Sequence, residues 1–257
     1  ASYAVESNAY FGKRDYDGGI AFIDPFIAAT TDTAKQGFKT HAQARRLKFL
    51  LAQGKRPAYN AGLAALKALT REGINADFFV IDDISMNYFG GWYDVVAEKI
   101  DAFNANPDVP NDLKLLALWF DAMCDRQRGA AAMADDTTMG LALQVRGKKK
   151  LQVFVTRTAA AANDGAERYL RVFADLELDN PAEAVKDCDL FLAAYPYLED
   201  CKMLSIRIRK LMALSRVGDT TKTTVLANEL LVSSDVNAQA PGVGMSGDAV
   251  RSLARSY

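Results

Sequence analysis

Asn180-Pro181-Ala182-Glu183-Ala184-Val185-Lys186-Asp187-Cys188-Asp189-Leu190-Phe191-Leu192-Ala193-Ala194-Tyr195-Pro196 begins with a capping residue and a proline and ends at a second proline. Asparagine suits a helix N-cap, and proline suits the first turn, where its missing N–H has no partner to lose. A later proline cannot continue a helix. Ala182 to Tyr195 therefore reads as one helix with both ends marked. Outward from it, Asp164 to Leu178 reads as a helix whose inward residues are Tyr169, Leu170, Val172, Phe173 and Leu176. Tyr197 to Val217 and Thr220 to Val232 read as two more, separated by the turn Gly218-Asp219. Turns this short place consecutive helices antiparallel. Residues 163–232 are thus expected to form helical hairpins.

Within this stretch Ala184 stands twelve residues before Pro196, and Asn180-Pro181-Ala182-Glu183-Ala184 opens the helix. That pattern resembles the second helix of a tetratricopeptide-type repeat. The resemblance covers about 55 residues and implies stacked helical hairpins. Two departures stand out. Phe191 occupies a position where a small residue is usual, and Thr223 stands where the next repeat would carry Ala.

Upstream, residues 33–128 form a second helical region. Thr33 to Gln53 groups Phe38, Ala42, Leu47, Phe49, Leu50 and Leu51 near one face, with Gly54 as C-terminal cap. Pro57 opens a helix carrying Leu63, Leu66 and Leu69. Phe78-Phe79-Val80-Ile81 reads as a short strand or buried extended piece. Trp92 to Phe103 is amphipathic and stops at Asn106-Pro107, and Pro110 opens an apolar helix through Trp119, Phe120 and Met123. Residues 129–162 read as a connection, Ala/Gly-rich and then basic, in which Leu151-Gln152-Val153-Phe154-Val155 makes a short strand. Residues 1–32 read as an extended aromatic arm carrying Tyr3, Tyr10, Phe11, Tyr16, Phe22 and Phe26, broken by Gly18-Gly19 and Pro25. Residues 233–257, polar and glycine-rich, read as a flexible tail. The fold class that follows is mostly α: antiparallel hairpins or a bundle with at most a small β element.

The chain has 257 residues, half of them hydrophobic and a quarter charged, as globular proteins do. A net charge of −1 gives no general pull toward nucleic acid or anionic membrane. No apolar run approaches the roughly 18 residues a membrane span needs. The chain starts at Ala1, which reads as a trimmed or processed N-terminus.

Catalytic signatures are sparse. His41 is the one histidine, so no His cluster can hold a metal or complete a Ser–His–Asp set. Gly242-Val243-Gly244-Met245-Ser246-Gly247 matches a dinucleotide fingerprint by letter, but too little chain follows for the helix and strand such a unit needs. Gly147-Lys148-Lys149-Lys150 lacks the first glycine and the Ser/Thr of a phosphate loop and reads as a solvated basic turn. Asp82-Asp83 and Asp135-Asp136 read as turn or capping acids.

The three cysteines share a feature: each touches an aspartate, in Cys124-Asp125-Arg126, Asp187-Cys188-Asp189 and Asp200-Cys201-Lys202. A thioether-linked open-chain tetrapyrrole needs a Cys, an acid for its inner pyrrole nitrogens and a cation for its propionates. Cys124, Cys188 and Cys201, with Asp125 and Arg126, are the candidate bilin-binding residues. Flanking acids work against this by raising a thiol's pKa. The segment Ala44-Arg45-Arg46-Leu47-Lys48-Phe49-Leu50-Leu51-Ala52-Gln53-Gly54 resembles an Ala-Arg-Arg segment of the linker and gamma-type subunits of red-algal phycobilisomes. That resemblance implies a structural component at the chloroplast thylakoid surface, holding pigment-protein discs together and bearing covalent bilins. The bilin-bearing cysteine that falls near this segment in gamma chains is missing here, and those chains are usually basic.

The leading expectation is a non-catalytic protein that works through protein partners in a larger assembly, with the linker as its narrow form. The alternatives are a helical-repeat adaptor whose C-terminal hairpins bind a peptide, and an enzyme without a legible motif. Nucleic-acid binding is not favoured.

Overall fold

The computed structural model describes residues 7, 10, 13–31, 36–69, 81, 83–85, 87–88, 90–107, 109, 111–159, 165–195, 201–243 and 245–257. Among these no strand occurs, and the mostly α expectation is met. Tyr3, Phe11, the Phe78-Phe79-Val80 piece, Asp82, Asp200 and Pro196 lie outside the described residues, as do the side chains of His41 and Cys201. The helices are α1 (Tyr16–Ala29), α2 (Gln36–Ala52), α3 (Arg56–Leu69), α4 (Tyr93–Ala105), α5 (Asn111–Ala132) and α6 (Thr137–Thr158). They continue with α7 (Gly165–Glu177), α8 (Pro181–Ala194), α9 (Cys201–Val217), α10 (Thr220–Val232), α11 (Asp235–Gln239) and α12 (Gly247–Arg255). Two compact units result, Leu50–Glu167 and the combination of Ala1–Phe49 with Arg168–Tyr257.

The unit Leu50–Glu167 centres on the hairpin of α5 and α6, which corrects the expected loose connection at residues 129–162. There is no strand at Leu151–Val155; those residues belong to a 22-residue helix. The Asp136 side chain starts it by accepting the Met139 N–H at 2.9 Å. The buried positions Gly140, Leu143, Gly147, Leu151, Phe154 and Thr158 recur every three or four residues and form its inner face. Two are glycines, so the face carries little hydrophobic signal. The glycines allow close backbone approach. A Cβ on Gly147 would sit 2.7 Å from the Ala122 carbonyl oxygen, and one on Gly129 would sit 2.9 Å from that of Gly140. α4 packs on α5 through Val96, Ile100 and Phe103. Tyr88 meets Trp119 and Phe120 edge-on, an arrangement aromatic quadrupoles favour.

In the other unit, Tyr16–Ala29 is helical where an extended arm was expected. Asp15 caps it through the Gly18 N–H, and Pro25 is accommodated inside it. Gly19 supplies space, since a Cβ there would fall 2.4 Å from the Phe49 ring. Ile23, Ala42 and Phe49 form the shared core, joined by Tyr10, Tyr16 and Phe22. Tyr10, Tyr16 and Phe22 of the arm are thus spent on this core. Arg46 closes the edge on Asp24 at 2.7 Å.

α7 to α10 follow the expected boundaries closely. Val172, Cys188, Phe191 and Ile206 make the core of α7, α8 and α9, ringed by Tyr169, Phe173 and Tyr195. Asn180 does occupy the N-cap position of α8, but makes no side-chain cap hydrogen bond. Its amide turns back toward Asp175 Oδ1, at 3.5 Å. Residues 233–257 are not a loose tail. Ser246 caps α12 by accepting the Ala249 N–H, and Val236, Ala240, Val250 and Ala254 are buried against Leu211, Leu214 and Leu230 of α9 and α10. Gly247 opens this nine-residue helix, which ends at Arg255.

Candidate interaction surface

α5 and α6 are fastened by charge as well as by close approach. Asp121 and Asp125 lie one turn apart on α5, and Arg146 and Lys150 one turn apart on α6. Asp125 Oδ2 accepts Arg146 Nε at 2.7 Å and Lys150 Nζ at 2.8 Å, while the second guanidinium edge reaches Oδ1. Lys150 also reaches Asp121 at 2.7 Å. Burial pushes the Asp125 carboxyl up, but the hydrogen bonds and charges of Arg146 and Lys150 outweigh it and hold it below the usual carboxylate range. The sequence carried a signal for this cluster that adjacency arguments miss. Paired acids at i, i+4 on one helix face paired bases at i, i+4 on the next, which becomes visible once 137–158 is read as a helix.

The outer face of α6 is different. On a 3.6-residue period, Leu141, Val145, Lys149 and Val153 lie opposite the buried stripe. Leu141 and Val145 are 52% and 51% exposed, and Val153 and Met139 are also exposed. Leu141, Ala142, Val145, Arg146 and Lys149 line a shallow depression of about 400 Å³. Residues 137–158 include five cations and no acid. Lys148, Lys149 and Arg157 are exposed, and none of the three is held in an ion pair among the described residues. Beside the α5–α6 turn, a cleft of about 540 Å³ opens between Trp92, Val95, Arg128, Ala132, Met139 and Leu143. Its rim carries the Arg128–Asp94 ion pair at 3.1 Å.

The bilin candidates are placed otherwise. Cys124 is 1% exposed and Cys188 0%, and the two belong to different units. Burial, reinforced at Cys124 by Asp121 and Asp125, pushes each thiol up to about 12. Asp125 is engaged by α6, and the Arg126 carbonyl accepts the Gln144 side-chain amide at 2.6 Å. Neither depression described above includes Cys124 or Cys188. An attachment thiol must be reachable and able to ionise, so Cys124 and Cys188 do not fit a thioether-linked bilin.

Two further acids, Asp83 and Asp187, are also closed off. Asp83 is buried and accepts from Tyr59, Asn87 and Lys99. Asp187 is held by Arg168 at 3.1 Å and Arg171 at 2.8 Å. Among the described residues no group of three His, Cys, Asp or Glu side chains could hold a metal ion, and no helix is long and apolar enough to cross a membrane.

No family model matches the chain, and no curated protein matches its sequence. Among solved structures, the complex of the TPR2AB domain of yeast Sti1 with pHSP90 is 14% identical over 98% of this chain and 97% of that one, with a TM-score of 0.30. Agreement at that level is too low to carry a structural argument.

Proposed function

We propose that this chain is a non-catalytic helical adaptor that docks a protein partner on the outer face of α6. One observation carries the reading: a rigidly fastened helix presents Leu141, Val145 and Val153 to solvent. Apolar side chains so aligned, beside Lys148, Lys149 and Arg157 with no ion pair among the described residues, suit a protein interface better than a solvated face. The acids Asp83, Asp125 and Asp187 support it in another way, because each is spent on internal ion pairs. A light-harvesting linker is a narrower member of this class, and only the Ala44–Gly54 segment speaks for it.

Photo-crosslinking in the protein's native cells tests this. A photoreactive residue replacing Val145 should trap one defined protein, and adding Leu141→Asp should abolish the adduct without changing helical content. Equal labelling through position 145 and through exposed Val232 of α10 would overturn the proposal.

A further inference from the structure

Resting on that docking reading, we infer that the occupant of the α6 face is an acidic amphipathic helix of another protein. Spacing, charge and rigidity each constrain it. Leu141, Val145 and Val153 lie along one line of α6 with Lys149 between them. Leu141 and Val153 are twelve residues apart, about 18 Å at 1.5 Å per residue, so the line matches roughly three turns of a helical ligand. A helix bound side-on presents anchors at i, i+3 or i+4 and i+7, which is the spacing such a line can receive.

Charge selects among apolar helices. Lys148 flanks the line, Lys149 stands within it and Arg157 continues it one turn beyond Val153. No acid of residues 137–158 offsets them. The whole chain has a net charge of −1, so this positive face is a local feature set against a negative remainder. Carboxylates flanking the ligand's apolar stripe would pair with these cations at the rim, where charges govern partner choice and encounter rate.

Rigidity makes the face ready for use. The glycine contacts with α5 and the Asp125–Arg146–Lys150 cluster hold α6 in place, so little ordering cost remains on binding. The same features weigh against a bilayer surface. The exposed apolar residues here are mainly β-branched and aliphatic, and the Trp and Phe that anchor interfacial helices are missing from the outer line. A nucleic-acid backbone would use the cations and leave the apolar line unsatisfied.

The test uses the full chain and fluorescein-labelled synthetic peptides of three helical turns, read by anisotropy. One peptide carries Leu at i, i+4 and i+7 with Glu flanks, a second has Lys in place of Glu, and a third is a scramble of the first. The acidic amphipathic peptide should bind and the other two should be at least about ten-fold weaker. Leu141→Asp and Lys149→Glu should each weaken binding about ten-fold, Lys149→Arg should retain it, and Val232→Asp should leave it unchanged. Added salt should weaken it further.

Tighter binding of poly-uridylate RNA or of phosphatidylserine vesicles, with the same dependence on Leu141 and Lys149, would overturn the inference. So would concentration-dependent dimerisation abolished by Leu141→Asp, since the occupant would then be a second copy. If the position-145 adduct forms but acidic peptides do not bind, the charge assignment falls and the docking face stands. If neither occurs, both fall.

Discussion

Two helical hairpins in this chain reach the same secondary structure by opposite means. α7 and α8 pack through bulk: Tyr169, Phe173, Phe191 and Tyr195 interleave over Val172 and Cys188. α5 and α6 pack through its absence, with Gly129, Gly140 and Gly147 letting backbones touch and a four-residue charge cluster closing the side. Bulky packing spends most of a helix's large apolar side chains inward, leaving Leu190 exposed on α8. On α6 glycines share the inner face with Leu143, Leu151 and Phe154, and Leu141, Val145 and Val153 remain on the outer face. The more closely approached hairpin is therefore the better platform for a partner.

The largest way to break the contrast lies on the bulky side. Phe191→Ala should cost about 3–5 kcal/mol in urea unfolding, because it removes a buried ring that its neighbours cannot replace. The counterpart at α6 enlarges a residue. Gly147→Ala should cost about 1–3 kcal/mol, because its methyl has only the Ala122 carbonyl and the Arg126 side chain to meet. A Gly147→Ala variant as stable as the parent would show that the α5–α6 backbones are not in contact.

The two hairpins should also separate by pH. Asp125 is held below its ordinary pKa of 3.8, so its contribution is complete at neutral pH and is lost as pH falls through the lowered folded value. Asp175, at the end of α7, behaves the other way. It is fully buried, its Oδ2 has no hydrogen-bond partner among the described residues, and burial, partly offset by Arg171 and Asn180, pushes it up to about 6. With its folded pKa above the unfolded one, its stabilising effect is present below pH 3.8 and lost as pH rises through about 6. Asp175→Asn should accordingly add about 1–3 kcal/mol at pH 7 and almost nothing near pH 3.5, read by thermal melts at both values. Equal effects at the two pH values would place the carboxylate in water.

The smallest expected effect is on thiol chemistry. Native protein treated with a thiol-specific reagent should leave Cys124 and Cys188 unlabelled, and denatured protein should label all three cysteines. Fast native labelling of Cys124 would reopen the pigment reading.

The same contrast explains what was legible in the sequence. α8 announced itself through Pro181 and Pro196, and α10 through Gly218-Asp219, with boundaries at Thr220 and Val232. α6 hid because its inner face substitutes Gly140 and Gly147 for apolar residues, so periodicity dissolved into an Ala/Gly-rich, basic run. α12 hid because it is short, although Ser246 and Asp248 marked its start and Val250 and Ala254 its inner face. The N-terminal aromatics pointed to burial without showing that Tyr16–Ala29 would be helical around Gly18, Gly19 and Pro25. The docking face was illegible for a further reason: exposure of Leu141 and Val145 follows from which residues face α5, and sequence order alone does not state that.

Methyl NMR of the full chain, titrated with the acidic amphipathic peptide, bears most directly on the central claim. Shifts are expected only at the methyls of Leu141, Val145, Val153 and Met139, with the equally exposed Leu190 of α8 and Val225 of α10 unmoved. Shifts concentrated on Leu190 and Val225, with the α6 methyls silent, would contradict it.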